Sequence, residues 1–212
     1  MSKNVKWFTV LIPTFYFLIP LILNFNYDSS FLRIKLIELY INCIPITLCV
    51  IFLIKKAIVN NFYKLVVLNA FIVYLCSLHQ IVTFIPVWYW RSPGISSTTP
   101  LINLVPFKTI LESEITQLIA PLLLLIPIAF ALMSLSILKS KKKTIMVTML
   151  ISIGIELIQF IENSTGTGSA FEIYSRLTNI DDVILNTLGG VIGVYIYHFI
   201  RKGQSERLQI SN

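Results

Sequence analysis

Residues 144–161 read TIMVTMLISIGIELIQFI, an apolar run that contains a single carboxylate, Glu156. A helix rises about 1.5 Å per residue and a hydrocarbon core is about 30 Å thick, so a span needs roughly 20 mostly apolar residues. The run lacks the alternation of a barrel strand, and an open sheet edge cannot face lipid. This stretch therefore predicts a transmembrane α-helix with a polar group inside it.

Five more apolar runs of similar length flank this one. In chain order the six runs cover residues 7–24, 37–54, 65–87, 115–138, 144–161 and 183–200. Hydrophobic residues make up 56% of the 212-residue chain and charged residues only 13%, whereas about 25% is usual in soluble domains. We predict an all-α, polytopic membrane protein with about six transmembrane helices, located in the cell membrane, and we exclude a soluble monomer.

The net charge of +7 is distributed unevenly between the gaps that separate these runs. Counting the N-terminus as the first gap, the odd-numbered gaps hold Lys3, Lys6, Lys55, Lys56, Lys64, Lys139, Lys141, Lys142, Lys143, Arg201, Lys202 and Arg207. The other gaps hold Arg33, Lys35, Arg91, Lys108 and Arg176. Basic residues concentrate on the cytoplasmic side of membrane proteins, so we expect both termini to be cytoplasmic and no nucleic-acid partner.

The fifth run carries a polar stripe. Ser152, Glu156, Gln159 and Asn163 fall within an arc of about 60° on a helix. Burying an unpaired carboxylate costs several kcal/mol, so we expect Glu156 to face the bundle interior. Either these side chains hydrogen-bond neighbouring helices as structural contacts, or they form a functional site.

The sixth run opens with two aspartates and continues on one face with Asp182, Asn186, Gly189 and Gly193. Glycines on a helix face allow another backbone to approach closely, so this face is predicted to be a helix contact. Asp182 and Asn186 lie at its outer end.

If the fifth helix packs on that face, Asp182 and Asn186 approach Glu156, Gln159 and Arg176 in one outward-facing site. Arg176 is the only strongly basic group in the second outer loop. It is expected either to pair with an aspartate or to bind a phosphate or carboxylate.

No cofactor or metal site is expected. The three cysteines, Cys43, Cys49 and Cys76, all lie inside apolar runs and have the character of small buried hydrophobes. No Ser-His-Asp arrangement or paired histidine ligands can be assembled.

Three blocks together resemble the VanZ-like family of small bacterial membrane proteins. They are NLVPFKTI at 103–110, SIGIELIQ at 152–159 and RLTNIDDVILNTLGGVIG at 176–193. The resemblance covers roughly residues 100–200. It suggests N-terminal helices 1–3 in residues 1–90, a VanZ-like domain with helices 4–6 in 91–202, and a polar cytoplasmic tail in 203–212.

The chain departs from the family pattern in its fourth run. Where relatives have an asparagine-initiated run ending Ile-Pro-Leu-Gly, this chain has Pro121 and then Ile126-Pro127-Ile128-Ala129. Pro121 removes a polar side chain and is expected to kink the fourth helix.

The resemblance implies an integral membrane protein associated with resistance to teicoplanin-type glycopeptide and lipoglycopeptide antibiotics. We expect it to act through the outward-facing polar cluster, with a membrane lipid, a lipid-linked wall precursor or the drug as partner; the oligomeric state stays open. The candidate catalytic residues are Glu156, Gln159, Arg176, Asp182 and Asn186. The candidate ligand-binding residues are Asn103, Arg176 and Asp181.

The alternative is a membrane enzyme acting on phosphorylated or cell-wall precursor lipids. Glu156 or Asp182 would serve as general base and Arg176 as an anion clamp. The sequence lacks the second basic residue and nucleophilic histidine expected of membrane phosphatases, so whether the protein is an enzyme stays open. A transporter is disfavoured because the two halves show no internal repeat.

Overall fold

The computed structural model describes residues 5–23, 29–85, 102–165 and 178–210. In these ranges, six helices are long and apolar enough to cross a membrane. They cover Lys6–Leu23, Leu32–Lys56, Phe62–Val82, Ile115–Ser134, Lys141–Ile161 and Ile180–Gly203. Each overlaps one predicted run, so the predicted all-α, polytopic fold is confirmed. The cytoplasmic placement of both termini stays a prediction.

The elements follow one another in simple order. A 3₁₀ turn (Val5–Val10) precedes α1 (Leu11–Leu23), α2 (Ser29–Lys56) and α3 (Phe62–Leu78), which continues as a π-helical turn (His79–Thr83). After β1 (Ile102–Asn103) come α4 (Lys108–Glu112), α5 (Ile115–Leu124), α6 (Ile126–Ser134) and α7 (Lys141–Thr165). β2 (Thr178–Asn179) directly precedes α8 (Ile180–Ile210) and pairs in parallel with β1.

The chain forms two compact units. The first comprises Met1–Asn103 and Ile155–Asn179, and the second comprises Leu104–Gly154 and Ile180–Asn212. The chain therefore passes between the units three times, after Asn103, Gly154 and Asn179, and the second of these points lies within α7. The predicted division into 1–90, 91–202 and 203–212 follows chain order instead and stays a prediction.

In the first unit, Lys6 joins the 3₁₀ turn that precedes α1 to the end of α2. Lys6 donates from Nζ to the carbonyl oxygens of Ile54, at 2.8 Å, and Ala57, at 3.0 Å. These carbonyls lie at the end of α2, where the helix itself supplies no partner. Asn61 then begins α3 by accepting a hydrogen bond from the Lys64 N–H at 2.9 Å. The 3₁₀ turn that carries Lys6 is thereby held against the segment between α2 and α3.

The fourth span, in the second unit, is divided between α5 and α6. The break lies at Leu125, whose φ and ψ are −101° and 0°. A kink was expected from Pro121, which lies inside α5, but the break comes four residues later. Pro127, near the start of α6, lacks the N–H that would bond the carbonyl of Leu123, and its ring crowds that carbonyl. The second proline therefore accounts for the position of the break.

In the same unit, α8 packs against α5 and α6 through its glycines. A methyl group at Gly189 would collide with the main-chain carbonyl of Leu122, and one at Gly193 with that of Ile126. Glycine has no Cβ, so the two backbones approach closely enough for Cα–H···O contacts. The predicted role of this glycine face as a helix contact is confirmed.

Candidate functional site

A line of buried polar side chains runs along α7. Thr144, Thr148 and Ser152 are 0% exposed, and Glu156 and Gln159 are each 6% exposed. Their spacing of three and four residues places them on one helix face. The predicted stripe at Ser152, Glu156 and Gln159 is therefore confirmed as a buried face. It extends two further turns toward the start of α7.

Glu156 is part of a buried hydrogen-bonded cluster in the first unit. One carboxylate oxygen accepts the main-chain N–H of Asn179 at 2.8 Å. The Asn179 side-chain oxygen accepts a hydrogen bond from the amide of Asn103 at 3.0 Å. These three residues, which we name the Glu156 cluster, are all buried. A carboxylate placed in a candidate membrane span thus has a protein donor, which offsets part of its desolvation cost.

The two short strands hold this cluster in register. Ile102 lies opposite Thr178, and Asn103 opposite Asn179. Because the ladder aligns the two asparagines side by side, their side chains meet, and the N–H of Asn179 reaches Glu156. The hydroxyl of Thr178 is buried and has no hydrogen-bond partner among the described residues.

Asp181 forms a second arrangement, in the second unit. Its two carboxylate oxygens accept hydrogen bonds from the main-chain N–H groups of Phe107 at 2.5 Å, Thr109 at 2.7 Å and Ile110 at 3.2 Å. Asp181 itself is 0% exposed. The first N–H groups of a helix lack partners within it, so Asp181 caps α4 from a distant part of the chain.

This arrangement also explains the backbone of Phe107. The residue adopts a left-handed conformation with φ of 66° and provides no side-chain cap for α4. Such a conformation costs a non-glycine residue roughly 1–2 kcal/mol. The charge-assisted hydrogen bonds to Asp181 offset that cost. Asp181 therefore shapes the loop that joins 103–107 to the fourth span.

The second unit also contains a direct contact between α7 and α8. The side-chain amide of Asn186 donates to the hydroxyl of Ser152 at 3.0 Å. The Asn186 side-chain oxygen is buried and has no hydrogen-bond partner among the described residues. The Asn186 side chain is only 2% exposed, which is consistent with its position in the contact between α7 and α8.

The other candidate residues occupy different environments. Gln159 is buried on α7, whereas Asp182 is half-buried in the first turn of α8. Arg176 and the side chain of Asn163 lie outside the described residues. The proposed anion-binding role of Arg176 and the single site joining Glu156, Gln159, Arg176, Asp182 and Asn186 therefore stay predictions.

Hydrogen bonds link the three sequence blocks in pairs. In the first unit, Asn103 of the first block and Glu156 of the second both bond Asn179 of the third. In the second unit, Asp181 of the third block bonds residues 107–110 of the first, and Ser152 of the second bonds Asn186. The blocks thus have a structural role in addition to any role in binding.

Two polar contacts in the structure are not among the predictions made from the sequence. Asn179 belongs to the third sequence block, but nothing in that block predicts that its N–H donates to Glu156. Asn42, in the middle of α2, is fully buried. Its side chain donates a hydrogen bond to the carbonyl oxygen of Ile85 and accepts one from the N–H of the same residue. Its position four residues after Glu38 on one helix face was the available signal.

Among the described residues, no group of three or more histidine, cysteine, aspartate or glutamate side chains could hold a metal ion. The arrangement instead offers hydrogen-bond acceptors and donors within apolar helices.

Comparison with known protein families shows that a family model described as VanZ/LLP1 matches residues 71–201. The match begins within α3 and includes all three sequence blocks. No curated protein and no solved structure matches the chain.

Proposed function

Because this chain belongs to the VanZ/LLP1 family, we propose that it lowers bacterial susceptibility to teicoplanin-type glycopeptide and lipoglycopeptide antibiotics. It is a multi-pass membrane protein, and we place it in the cell membrane. The proposed action is through an outward-facing polar cluster, where a lipid-linked wall precursor, another membrane lipid or the lipid-bearing drug is recognised.

The observation that carries this proposal is the position of Glu156. It lies in a candidate membrane span, is 6% exposed and accepts a hydrogen bond from Asn179. Ionisable residues inside membrane helices are costly and usually mark functional sites. A serine or glutamine would satisfy the same N–H at lower cost, which favours a functional reason for the carboxylate.

The segment that precedes the fourth span supports recognition of an amphiphile. Leu104 is 72% exposed, Leu111 83% and Ile115 75%. These apolar side chains directly precede or begin a candidate span, so they lie where a bilayer interface begins. Asp181 holds the main chain of this segment at residues 107–110. An acyl chain at the outer leaflet would meet this surface under the predicted topology.

The test is expression in a susceptible Gram-positive host. We expect the wild-type protein to raise the minimum inhibitory concentration of teicoplanin more than that of a glycopeptide without an acyl chain. Glu156→Gln and Asp182→Asn are expected to reduce this protection. Glu112→Gln, which neutralises an exposed acid on α4, is the matched control and should protect as the wild type does.

Membrane abundance of each variant is measured in parallel, so that loss of protein is distinguished from loss of function. Unchanged teicoplanin susceptibility with abundant wild-type protein would refute the proposal for this chain.

The enzyme alternative has weaker support. Of its two candidate general bases, Glu156 is buried and already accepts the main-chain N–H of Asn179 at 2.8 Å, whereas Asp182 is half-buried. A buried carboxylate that the protein itself engages is less available to a substrate proton. Turnover of phosphorylated polyprenyl lipids by the purified protein, lost in Glu156→Gln, would favour an enzyme over a binding protein.

A further inference from the structure

A cavity of about 300 Å³ lies within the first unit, among α1, α2 and the end of α3. Its wall has an apolar part that includes Phe17, Leu21 and Phe84, and a polar part formed by Lys35, Glu38 and Gln80. This volume lies at the lower end of known small-molecule sites. It is large enough for one head group and the first part of a chain.

The polar wall contains a buried acid with unused hydrogen-bonding capacity. Glu38 is 6% exposed, and its Oε1 pairs with Lys35 Nζ at 2.8 Å. Its other oxygen, Oε2, is buried and has no hydrogen-bond partner among the described residues. An unsatisfied buried carboxylate oxygen is costly, and a ligand that donates an N–H would remove that cost.

Asn42 joins two segments that contribute to the cavity wall. Asn42 donates from its side-chain amide to the carbonyl oxygen of Ile85 at 3.0 Å and accepts the Ile85 N–H at 2.9 Å. The same amide donates to the carbonyl of Glu38 at 2.8 Å. The segment that follows the π-helical turn is therefore fixed to the helix turn that carries Glu38, and Phe84 of the cavity wall is the neighbour of Ile85 in the chain. Such preorganisation lowers the cost of binding.

The position along the helices suits a lipid head group. Lys35 and Glu38 lie near the start of the Leu32–Lys56 span, whereas Lys6 contacts its far end. The cavity thus lies at the end of this helix group opposite the lysines that are predicted to be cytoplasmic. That end is the predicted outer leaflet.

We propose that this cavity binds a phospholipid whose head group carries a primary ammonium, of the phosphatidylethanolamine type. The lipid ammonium donates a hydrogen bond to Glu38 Oε2, and the lipid phosphate lies beside the half-buried side chain of Lys35. The part of the acyl chains nearest the head group contacts Phe17, Leu21 and Phe84. A quaternary ammonium has no N–H and cannot supply this hydrogen bond. The head group that fits is therefore distinguished from choline by hydrogen bonding, not by charge.

The test compares lipids with the same acyl chains on the full-length protein. Purified protein in detergent is incubated with phosphatidylethanolamine, phosphatidylcholine or phosphatidylglycerol, and bound lipid is measured by native mass spectrometry. We expect phosphatidylethanolamine to bind at least about tenfold more tightly than the other two, because a hydrogen bond to a charged group is gained. Glu38→Gln should abolish this preference, and Glu112→Gln should leave it unchanged.

Equal binding of the three lipids by the wild-type protein would overturn the proposal, and this comparison requires no variant to fold. Retention of the full preference by Glu38→Gln would also overturn it. Soluble phosphoethanolamine separates the two sources of the head group. Weak competition by it supports a lipid ligand, whereas competition as strong as that of the lipid contradicts the role of the acyl chain.

Discussion

Three buried carboxylates illustrate how the protein accommodates charge in apolar surroundings. Glu38 pairs with Lys35, Glu156 accepts the N–H of Asn179, and Asp181 accepts three main-chain N–H groups. These differences separate their roles. Asp181 has both oxygens engaged by the protein and is structural, whereas Glu38 retains an oxygen without a partner among the described residues and suits a ligand.

We predict that Asp181→Asn destabilises the protein. The substitution replaces one accepting oxygen by an NH₂ group, which would then face main-chain N–H donors. The cost of a buried donor left unsatisfied is about 1–3 kcal/mol, so the unfolding free energy should fall by about that amount. Denaturant unfolding in detergent micelles measures it.

Asp182→Asn provides the matched comparison, because it makes the same chemical change at the adjacent, half-buried residue. Its loss of stability should be clearly smaller. Equal losses in the two variants would contradict the capping role assigned to Asp181.

Helix α8 makes two kinds of contact within the second unit. Its first turn carries Asp181, which binds residues 107–110, and its middle carries the glycines that meet α5 and α6. The break at Leu125 interrupts the hydrogen-bond ladder of the fourth span opposite these glycines. Small residues on one helix and exposed carbonyls on the other therefore form a single complementary contact.

The second prediction concerns that contact. Gly189→Ala introduces a methyl group that overlaps the main-chain carbonyl of Leu122, which cannot move away as a flexible side chain would. Overpacking of this kind typically costs about 1–3 kcal/mol, and we expect a corresponding loss of unfolding free energy.

Gly154→Ala is the control, because a Cβ at Gly154 meets nothing within 4 Å. Alanine is favoured over glycine inside a helix by up to about 1 kcal/mol, so this variant should be as stable as the wild type or more so. A larger loss in Gly154→Ala than in Gly189→Ala would show that the glycine contact is not the determining feature.

Across the whole molecule, the two proposed sites belong to different parts of the chain. The family match covers residues 71–201, whereas most of the cavity wall belongs to α1 and α2. Lys35 and Glu38 thus lie outside the matched residues. Loss of lipid preference in Glu38→Gln with intact antibiotic protection would show that the two functions are separable.

The orientation of the chain in the membrane can be predicted from its charges. Because basic residues concentrate in the first, third and fifth gaps and in the C-terminal segment, we expect both termini to be cytoplasmic. A C-terminal alkaline phosphatase fusion should be inactive and a C-terminal fluorescent protein fusion should fluoresce. The reverse pattern would place the acidic side, and both proposed sites, in the cytoplasm.

The class of the protein, its six candidate spans and the polar face of α7 can all be predicted from the order of its residues. These properties depend on the length of apolar runs and on spacings of three and four residues, which are local. The sequence also predicts that Glu156 is buried in the protein, because exposing a carboxylate to lipid in the middle of a membrane span would cost more free energy than burying it against other helices.

The groups that bond the buried acids, in contrast, are known only from the folded structure. Asn179 lies 23 residues from Glu156, and the groups that bond Asp181 lie 71 to 74 residues away from it. Partners so far apart leave no periodic signal, and main-chain N–H groups carry no residue identity at all. The cavity beside Glu38 arises in the same way, since three separate helices form its wall.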